Sequence, residues 1–366
     1  MRLLLVQGGF GAGGAEKVMA SLANHRAGRG DQVHVAAMAM PSAGPFFAYD
    51  PAVRLHVIAS GPGLLRHPVR ARGIRRLIRQ TDPDLVVSFL TKVNCLTLIA
   101  ALGTGVPVVV SERNNPARQS GRSWRRLQAA LLPRAAGIAM QTRDAAADLP
   151  RAAARRARVI ANPCSPVAFA PAPPSSRCRF VAVGRLEHQK GFDRLIRAFA
   201  ALPADLAAEL TIFGTGPLGD SLQQQIRSLG ATGRIRMAGQ AASPSAWLGA
   251  GDVLVLSSRF EGFSNVAAEA ATSGLPVVAF DCPFGVRDII EDGVNGLVVP
   301  DGDIGGLTAA MQRVATDAPL RVRLSQSAQP VVSRLDPARI LAQWDALIAD
   351  AASRPRRRTA PIAASG

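Results

Sequence analysis

In the stretch SSRFEGFSNVAAEAATSGLPVVAF, which follows the apolar run VLVL, Glu261 and Glu269 stand eight positions apart. Gly262 permits a tight turn, and Ser264 or Asn265 can cap a helix that begins near Val266. The first backbone N–H groups of such a helix would point at a cleft, ready to hold a phosphate. Glu269 then sits about one turn inside the helix, where its carboxylate can accept hydrogen bonds from a ribose diol. Glu261, ahead of the helix, could contact a sugar. The bare spacing is met equally well by one carboxylate that favours the helix dipole and a second on the surface.

A second stretch, VAVGRLEHQKGFDRLIRAF, places Arg185 and Lys190 in a strand-to-helix loop. A leaving diphosphate develops negative charge in the transition state, and two fixed cations would stabilise it without a metal. On their own, Arg and Lys in such a loop are also what a solvated surface looks like. No DxD-like pair precedes the stretch and no His/Asp/Glu cluster has ligand spacing, so neither a metal nor another cofactor is expected.

Near the start, GGFGAGG sets Gly9, Gly11 and Gly14 at the G-x-G-x-x-G spacing of a dinucleotide-binding turn. The full fingerprint needs a carboxylate at the end of the second strand, ~20 residues on. Here that strand, QVHVAAM, runs into Ala39, Met40 and Pro41, and the nearest acid, Asp31, precedes it. The glycines therefore serve something other than NAD.

These loops need strands and helices to aim them. Apolar strand runs lie at Leu3–Val6, Val33–Met38, Leu55–Ile58, Leu85–Leu90, Val106–Val110, Gly137–Met140 and Val159–Ile160, with helix-like stretches between most of them. After NPCSPVAFAPAPPSSR, whose prolines prevent regular structure, the alternation restarts. Its strands are Phe180–Val183, Leu210–Phe213, Ile235–Met237, Val253–Leu256, Val277–Phe280 and Leu297–Val299. Short continuous apolar strands separated by helices indicate parallel sheets covered on both faces. The expectation is two Rossmann-like βαβ domains facing across a deep cleft that holds the ligand.

The chain of 366 residues suffices for two such domains, and its 48% hydrophobic content excludes a mostly disordered protein. Cys95, Cys164, Cys178 and Cys282 stand far apart without a CxxC pair, which points to a reduced, cytoplasmic chain. The apolar start LLLV is too short for a signal peptide. The uncharged run Val93–Ser111 contains Gly103, Gly105 and Pro107, which divide it into a helix, a turn and a buried strand. Residues 1–174 carry 23 Lys and Arg against 8 Asp and Glu, whereas residues 175–335 carry 15 of each, so nearly all of the +17 net charge sits in the first half. Any anionic partner is met there.

Taken together, GGAEKVM, the pair Asn162–Pro163, GRLEHQKGFDRLI, FGTGPLGDSL, EGFSNVAAEAATSGLPVVAFD and EDGVNGLVVP resemble the retaining glycosyltransferases of family 4, which have the two-Rossmann GT-B fold. The pieces occur in the family's order and cover most of the chain. SFLTKVNCLTLIAALGTGVPVVVSERNNP looks most like members that add hexose or N-acetylhexosamine units to lipid-linked or polysaccharide acceptors, usually from UDP-sugars and without a metal.

The resemblance implies roles. Arg185 and Lys190 would bind the donor diphosphate, Glu269 the nucleotide ribose and Glu261 the transferred sugar. Phe263, Ser264, Asn265 and Val266 would present backbone N–H groups, and Gly214 would line the donor site. Gly11, Gly13 and Gly14 would let the first domain's backbone approach donor phosphates and acceptor closely. Many relatives carry a histidine after the strand corresponding to VPVVV, where this chain has Ser111, Glu112, Arg113 and Asn114. That departure leaves the general base unassigned, and a front-face mechanism, in which the leaving phosphate takes the acceptor proton, fits what remains.

The resulting layout is an acceptor-binding domain over residues 1–165, a Pro-rich linker over 166–177 and a nucleotide-sugar domain over 178–335. A helix over 336–352 is expected to cross back to the first domain, ahead of a basic disordered tail over 353–366. Two arginine-rich stretches of the first domain, with Arg75 and Arg76 in one and Arg113, Arg118, Arg125 and Arg126 in the other, suit a lipid pyrophosphate or an anionic membrane surface. Trp124, Leu127 and Leu131 recur at helical spacing beside Arg125 and Arg126, as in an interfacial helix, though the same apolar face could pack on its own sheet. Peripheral association with the inner face of the cytoplasmic membrane is the expectation. A nucleic-acid-binding protein would also be basic, but one tyrosine and a neutral second half give stacking little support. A GT-B-type UDP-sugar epimerase and a non-catalytic sugar-nucleotide-binding partner would each keep the fold while changing the activity.

Overall fold

The computed structural model describes residues 1–113, 121–171, 173 and 175–354; Arg118, Asn114 and all but the first two residues of the 353–366 tail lie outside the described residues. The chain forms two compact units, Met1–Asn162 together with the segment from Ala338 onward, and Pro163–Pro337.

In the first unit, strands β1 (Arg2–Gln7), β2 (Gln32–Ala37), β3 (Arg54–Val57), β4 (Leu85–Phe89), β5 (Val108–Glu112), β6 (Gly137–Met140) and β7 (Ala157–Val159) form a parallel sheet in the order β3-β2-β1-β4-β5-β6-β7. The inner strands are almost wholly buried and mostly apolar because helices cover both faces. Leu3, Leu5, Val87, Phe89 and Val109 face one layer, and Leu4, Val6, Val86, Val108 and Val110 the other. The first layer holds the Gly14–Gly28 helix and the C-terminal helix Pro337–Ala352, whose Ile340, Trp344, Leu347 and Ile348 are buried in that core. Asp345 of the same helix accepts from Arg26 at 2.6 Å and pairs with His25 at 2.9 Å. The second layer holds the helices Arg66–Thr81, Thr91–Ala101 and Arg122–Leu131.

The run Val93–Ser111 divides as its glycines and proline dictate, into the Thr91–Ala101 helix, a turn and β5. Among the described residues no helix is long and apolar enough to cross a membrane.

In the second unit, β8 (Cys178–Val183), β9 (Ala208–Phe213), β10 (Ile235–Met237), β11 (Val253–Leu256), β12 (Val277–Asp281) and β13 (Gly296–Pro300) form a parallel sheet in the order β10-β9-β8-β11-β12-β13. Its helices include Phe192–Ala200, Gly219–Ser228, Asn265–Thr272 and Ile304–Thr316. Each sheet reverses its strand order once, between β1 and β4 and between β8 and β11, which is where open α/β sheets bind ligands. The described residues of the proline-rich stretch have no regular structure and are fastened to the second unit. The backbone N–H of Cys164 donates to the Leu335 carbonyl at 2.9 Å, and that of Val167 to Ser273 Oγ at 2.9 Å.

At the carboxyl end of β5, Glu112 turns into the second layer. It is fully enclosed, accepts from Gln128 Nε2 and is bonded by Thr91, which ties the Arg122–Leu131 and Thr91–Ala101 helices to the strand. Burial pushes its carboxyl up to about 7, against the pull of those hydrogen bonds. A carboxyl raised in this way favours folding at pH values below its unfolded pKa, and that contribution is lost as the pH rises through the folded value. Glu112→Gln should therefore flatten the pH dependence of stability. Stability from urea unfolding at pH 8 should rise relative to the parent by up to about 3 kcal/mol, whereas that at pH 5 should change little; profiles that run parallel would contradict this.

Candidate functional site

Strands β8 and β11 are hydrogen-bonded neighbours, with Phe180 opposite Val253 and Val181 opposite Leu254. The loops at their carboxyl ends are thereby forced side by side. The β8 loop, Gly184–Gly191, ends in a short 3-10 turn, His188–Lys190, and the β11 loop, Ser257–Ser264, leads into the Asn265–Thr272 helix. Backbone and side-chain bonds join them: the Arg259 N–H donates to the Gln189 carbonyl at 2.8 Å, and Gln189 Nε2 to the Phe260 carbonyl at 3.1 Å. Gly191 makes the approach feasible. Its φ is 64°, and a Cβ there would lie 2.2 Å from the Ser257 carbonyl oxygen.

At this junction Lys190 Nζ meets Glu261 Oε1 at 2.6 Å, and Ser258 Oγ donates to the same oxygen at 2.6 Å. Glu261 is 4% exposed. A buried ion pair tolerates its desolvation only when further hydrogen bonds satisfy it, and Ser258 supplies one. Both donors converge on Oε1, and among the described residues no donor engages Oε2. The carboxylate therefore has one fixed oxygen and, among the described residues, one that is unengaged.

The side chain of Ser264, which is buried, caps the Asn265–Thr272 helix by accepting from the Ala267 N–H. Phe263 is buried ahead of it, and Asn265, Val266 and Glu269 are half-buried along the helix's first turns. Arg185 is different: its side chain keeps 66% of its exposure and pairs with Glu187 at 3.0 Å. Gly214 lies where the β9 loop crosses the β8 loop, and a Cβ there would sit 1.8 Å from the Gly184 carbonyl oxygen. Lys190, Glu261, Ser264 and Gly214 are thus gathered at one end of this unit's sheet, with Arg185 on the β8 loop beside them.

Sequence reasoning missed the supports. Ser258 is one. Another is Arg259, whose two terminal nitrogens grip Asp193 at 2.7 and 2.6 Å. A third is Arg194, which lies 4.7 Å over the Phe280 ring, pairs with Asp301 at 2.9 Å and donates to the Ser257 carbonyl at 3.2 Å. The only advance signal was a polar residue three positions before Glu261.

In the first unit the Gly8–Gly14 loop follows β1 at the strand-order reversal. None of its glycines has a positive φ, and a Cβ at Gly11 would meet nothing within 4 Å. Gly13 precedes the Gly14–Gly28 helix with no side-chain cap, and a Cβ there would meet only the flexible end of Glu16. Neither backbone conformation nor internal packing requires glycine at Gly11. Across the reversal, at the end of β4, Leu90 holds φ 77° and ψ 142°, a conformation that costs a non-glycine residue roughly 1–3 kcal/mol.

The arginines expected at an acceptor or membrane surface separate into three kinds. Arg76, Arg125 and Arg126 are exposed. Arg75 is spent on the end of the Thr91–Ala101 helix, donating to the Ala100 and Leu102 carbonyls at 2.9 and 2.6 Å. Arg113 is a correction: it is not on the surface but 7% exposed, its guanidinium 4.7 Å over the Phe89 ring and 5.9 Å from that of Trp344. The alternation of β5 continues one residue past Glu112 and turns Arg113 into the opposite layer. Trp124 and Leu127 pack against the second-layer core, with Trp124 edge-on to His67 at 4.9 Å, so the apolar face of that helix is used internally while its arginines stay outside.

Among the described residues no group of three or more His, Cys, Asp and Glu side chains is placed to hold a metal ion.

Comparison with known proteins bears on both units. A family model described as "Glycosyl transferase 4-like domain" matches residues 13–165, and one described as "Glycosyl transferases group 1" matches residues 177–317. A Campylobacter jejuni protein is 23% identical over 96% of this chain and 99% of its own; its name is GalNAc-alpha-(1->4)-GalNAc-alpha-(1->3)-diNAcBac-PP-undecaprenol alpha-1,4-N-acetyl-D-galactosaminyltransferase. An exopolysaccharide phosphotransferase of Streptomyces coelicolor is 26% identical over 94% of this chain, which spans only 40% of that protein's length. The Anabaena protein HepE, solved in complex with UDP-glucose, superposes with a TM-score of 0.78 over 95% of this chain and 99% of its own at 22% identity, a likeness of fold. With each unit matched by its own model, the chain belongs to the group 1, family 4-like glycosyltransferases of the GT-B fold.

Proposed function

We propose that the protein is a retaining, metal-independent glycosyltransferase that moves a hexose or N-acetylhexosamine from a nucleotide-sugar, a UDP-sugar, to a glycan or lipid-linked acceptor in cell-envelope polysaccharide or glycoconjugate synthesis. The observation that carries this reading is the junction of Lys190, Ser258 and Glu261, with Oε1 held and Oε2 left over. The name of the Campylobacter relative supports an undecaprenol-linked acceptor, and the HepE complex supports a UDP donor.

In this reading the Asn265–Thr272 helix offers backbone N–H groups to the donor phosphates, and Glu269 accepts from the ribose hydroxyls. Glu261 Oε2 accepts from a hydroxyl of the transferred sugar. As the bond from the anomeric carbon to the diphosphate breaks, the electron pair stays on the leaving oxygen. Lys190, which has two ammonium protons beyond the one on Glu261, and Arg185 stabilise that charge. The acceptor oxygen attacks from the same face and passes its proton to the leaving phosphate, which retains configuration and needs no histidine. The open space above Gly11 suits the close approach of donor or acceptor to the first unit's backbone.

The same reading puts the enzyme at an anionic membrane. Arg72, Arg75, Arg76 and Arg79 line a shallow surface hollow of about 290 Å³ on the Arg66–Thr81 helix, and the turn just before it carries Leu64 at 98% and Leu65 at 59% exposure. Leucines offered to solvent on the turn ahead of an arginine-rich helix match the acyl and headgroup layers of a bilayer.

Two outcomes are expected. Arg185→Ala, whose exposed pair with Glu187 contributes little to folding, should lower kcat by roughly 10²–10³ without shifting Tm, and product NMR should show the donor's anomeric configuration kept. Inverted product, donor epimerised without an acceptor, or unchanged turnover would overturn the mechanism. For the membrane, replacing Leu64 and Leu65 together by glutamate should weaken co-sedimentation with phosphatidylglycerol vesicles by roughly tenfold or more; equal binding would remove this segment from contact.

A further inference from the structure

At the carboxyl edge of the first unit's sheet, in the layer covered by the C-terminal helix, several buried polar groups lack partners among the described residues. Ser111 is the last-but-one residue of β5 and wholly buried, Arg113 follows the strand, and Gln141, 4% exposed, follows β6. Glu112 pairs in register with Met140, and Arg113 and Gln141 are the residues that follow them at this edge. Ser111 and Gln141 each stand two residues beyond a member of this layer's core, Val109 and Ala139, and so share its face with Arg113.

Among the described residues, Ser111 Oγ, Gln141 Oε1 and all three guanidinium nitrogens of Arg113 have no hydrogen-bond partner, and neither does the Trp344 indole nitrogen. Gln141 spends its amide nitrogen on Asn162 Oδ1 at 2.7 Å, leaving the oxygen. Glu112, the nearest carboxylate in sequence, is committed to Gln128 and Thr91 in the opposite layer.

Native proteins rarely leave such groups unpaired, and a buried guanidinium without a counter-charge is the costliest of them. Stacking over Phe89 satisfies the face of the guanidinium but none of its five N–H bonds, which lie in its plane and form a fork suited to two oxygens of one anion. The hydroxyl of Ser111 can donate to the same anion, and Gln141 Oε1 can accept from a neighbouring hydroxyl. The position, outside the carboxyl ends of parallel strands, is where such sheets bind ligands.

We propose that Arg113, with Ser111 and Gln141, forms a subsite in the first unit for an oxyanion carried by the acceptor, either a phosphate of a lipid-linked diphosphate or the carboxylate of an acidic sugar. The assignment rests on the transferase reading above. It makes Arg113 a specificity residue for a charged acceptor, not a surface contact with the bilayer.

The test measures thermal shifts of the full chain, held in saturating UDP, against inorganic phosphate, pyrophosphate and glucuronate, for the parent, Arg113→Met and Arg113→Lys. The parent should show a saturable rise in Tm with one anion class. Preference for phosphate and pyrophosphate identifies the diphosphate source, and preference for glucuronate the acidic sugar. Arg113→Met should weaken the response at least tenfold while remaining at least as stable as the parent without anion, because it removes an unpaired buried charge. Arg113→Lys, which keeps the charge and loses the fork, should fall between.

Equal responses in parent and Arg113→Met, no response in the parent, or an Arg113→Met chain that fails to fold would each overturn the subsite, the last because the guanidinium would then be holding the core together. A titration of UDP alone separates the two readings. If the parent binds no UDP the donor reading fails, while the difference between parent and Arg113→Met toward phosphate still decides this one.

Discussion

The second unit is organised around one buried ion pair. Lys190 and Glu261 come from loops 71 residues apart in sequence, and only the parallel pairing of β8 with β11 brings them to 2.6 Å. Burying two charges is unfavourable unless their remaining hydrogen-bonding capacity is used. Ser258 takes part of it on the protein side, and a substrate would take the rest. The surrounding features follow from holding that pair still: Gly191 lets the loops touch, Arg194 fastens the Ser257 carbonyl, and Arg259 of the β11 loop locks onto Asp193 at the start of the helix that follows the β8 loop. Arg185 stands outside this lattice of bonds, paired with Glu187 and largely exposed, as suits the proposed role of a cation that moves onto a ligand.

The first unit is built on the same plan with opposite chemistry. Its loop at the strand-order reversal is glycine without any conformational need for glycine, its neighbouring Leu90 is held in an unfavourable conformation, and its edge carries polar side chains buried without partners among the described residues. A folded chain does not gain from any of these by itself. They are features expected of a surface shaped for something that lands on it. The Pro337–Ala352 helix closes this layer through Trp344 and Ile348, so it packs beneath the edge where the proposed subsite lies.

Much of this was readable in the sequence because parallel strands buried on both faces announce themselves as apolar runs. VLVL and GIAM coincide with β11 and β6, whereas the run Val106–Val110 is displaced to Val108–Glu112 because polar residues are admitted at a strand's carboxyl end and Pro107 is not admitted to its middle. The family's motif order singled out Lys190 and Glu261 with separate roles, but their pairing was not legible, since it depends on which strands lie side by side. Ser258 offered no more than its place three residues before Glu261, and Asp193 carried no signal, for the same reason. The arginines were the hardest to read. A count of charge treats Arg75, Arg113 and Arg126 alike, yet one caps a helix, one stacks on Phe89 and one is solvated, and the difference lies in the phase of each residue within its strand or helix.

The central claim is that the second unit's junction is a nucleotide-sugar site. Calorimetric titration of the purified protein with UDP, GDP, ADP and NADH, first without metal and then with magnesium, addresses it most directly. The account predicts selective, stoichiometric UDP binding that does not need magnesium and that Glu269→Ala weakens. Binding of NADH alone, or of no nucleotide under either condition, would contradict it.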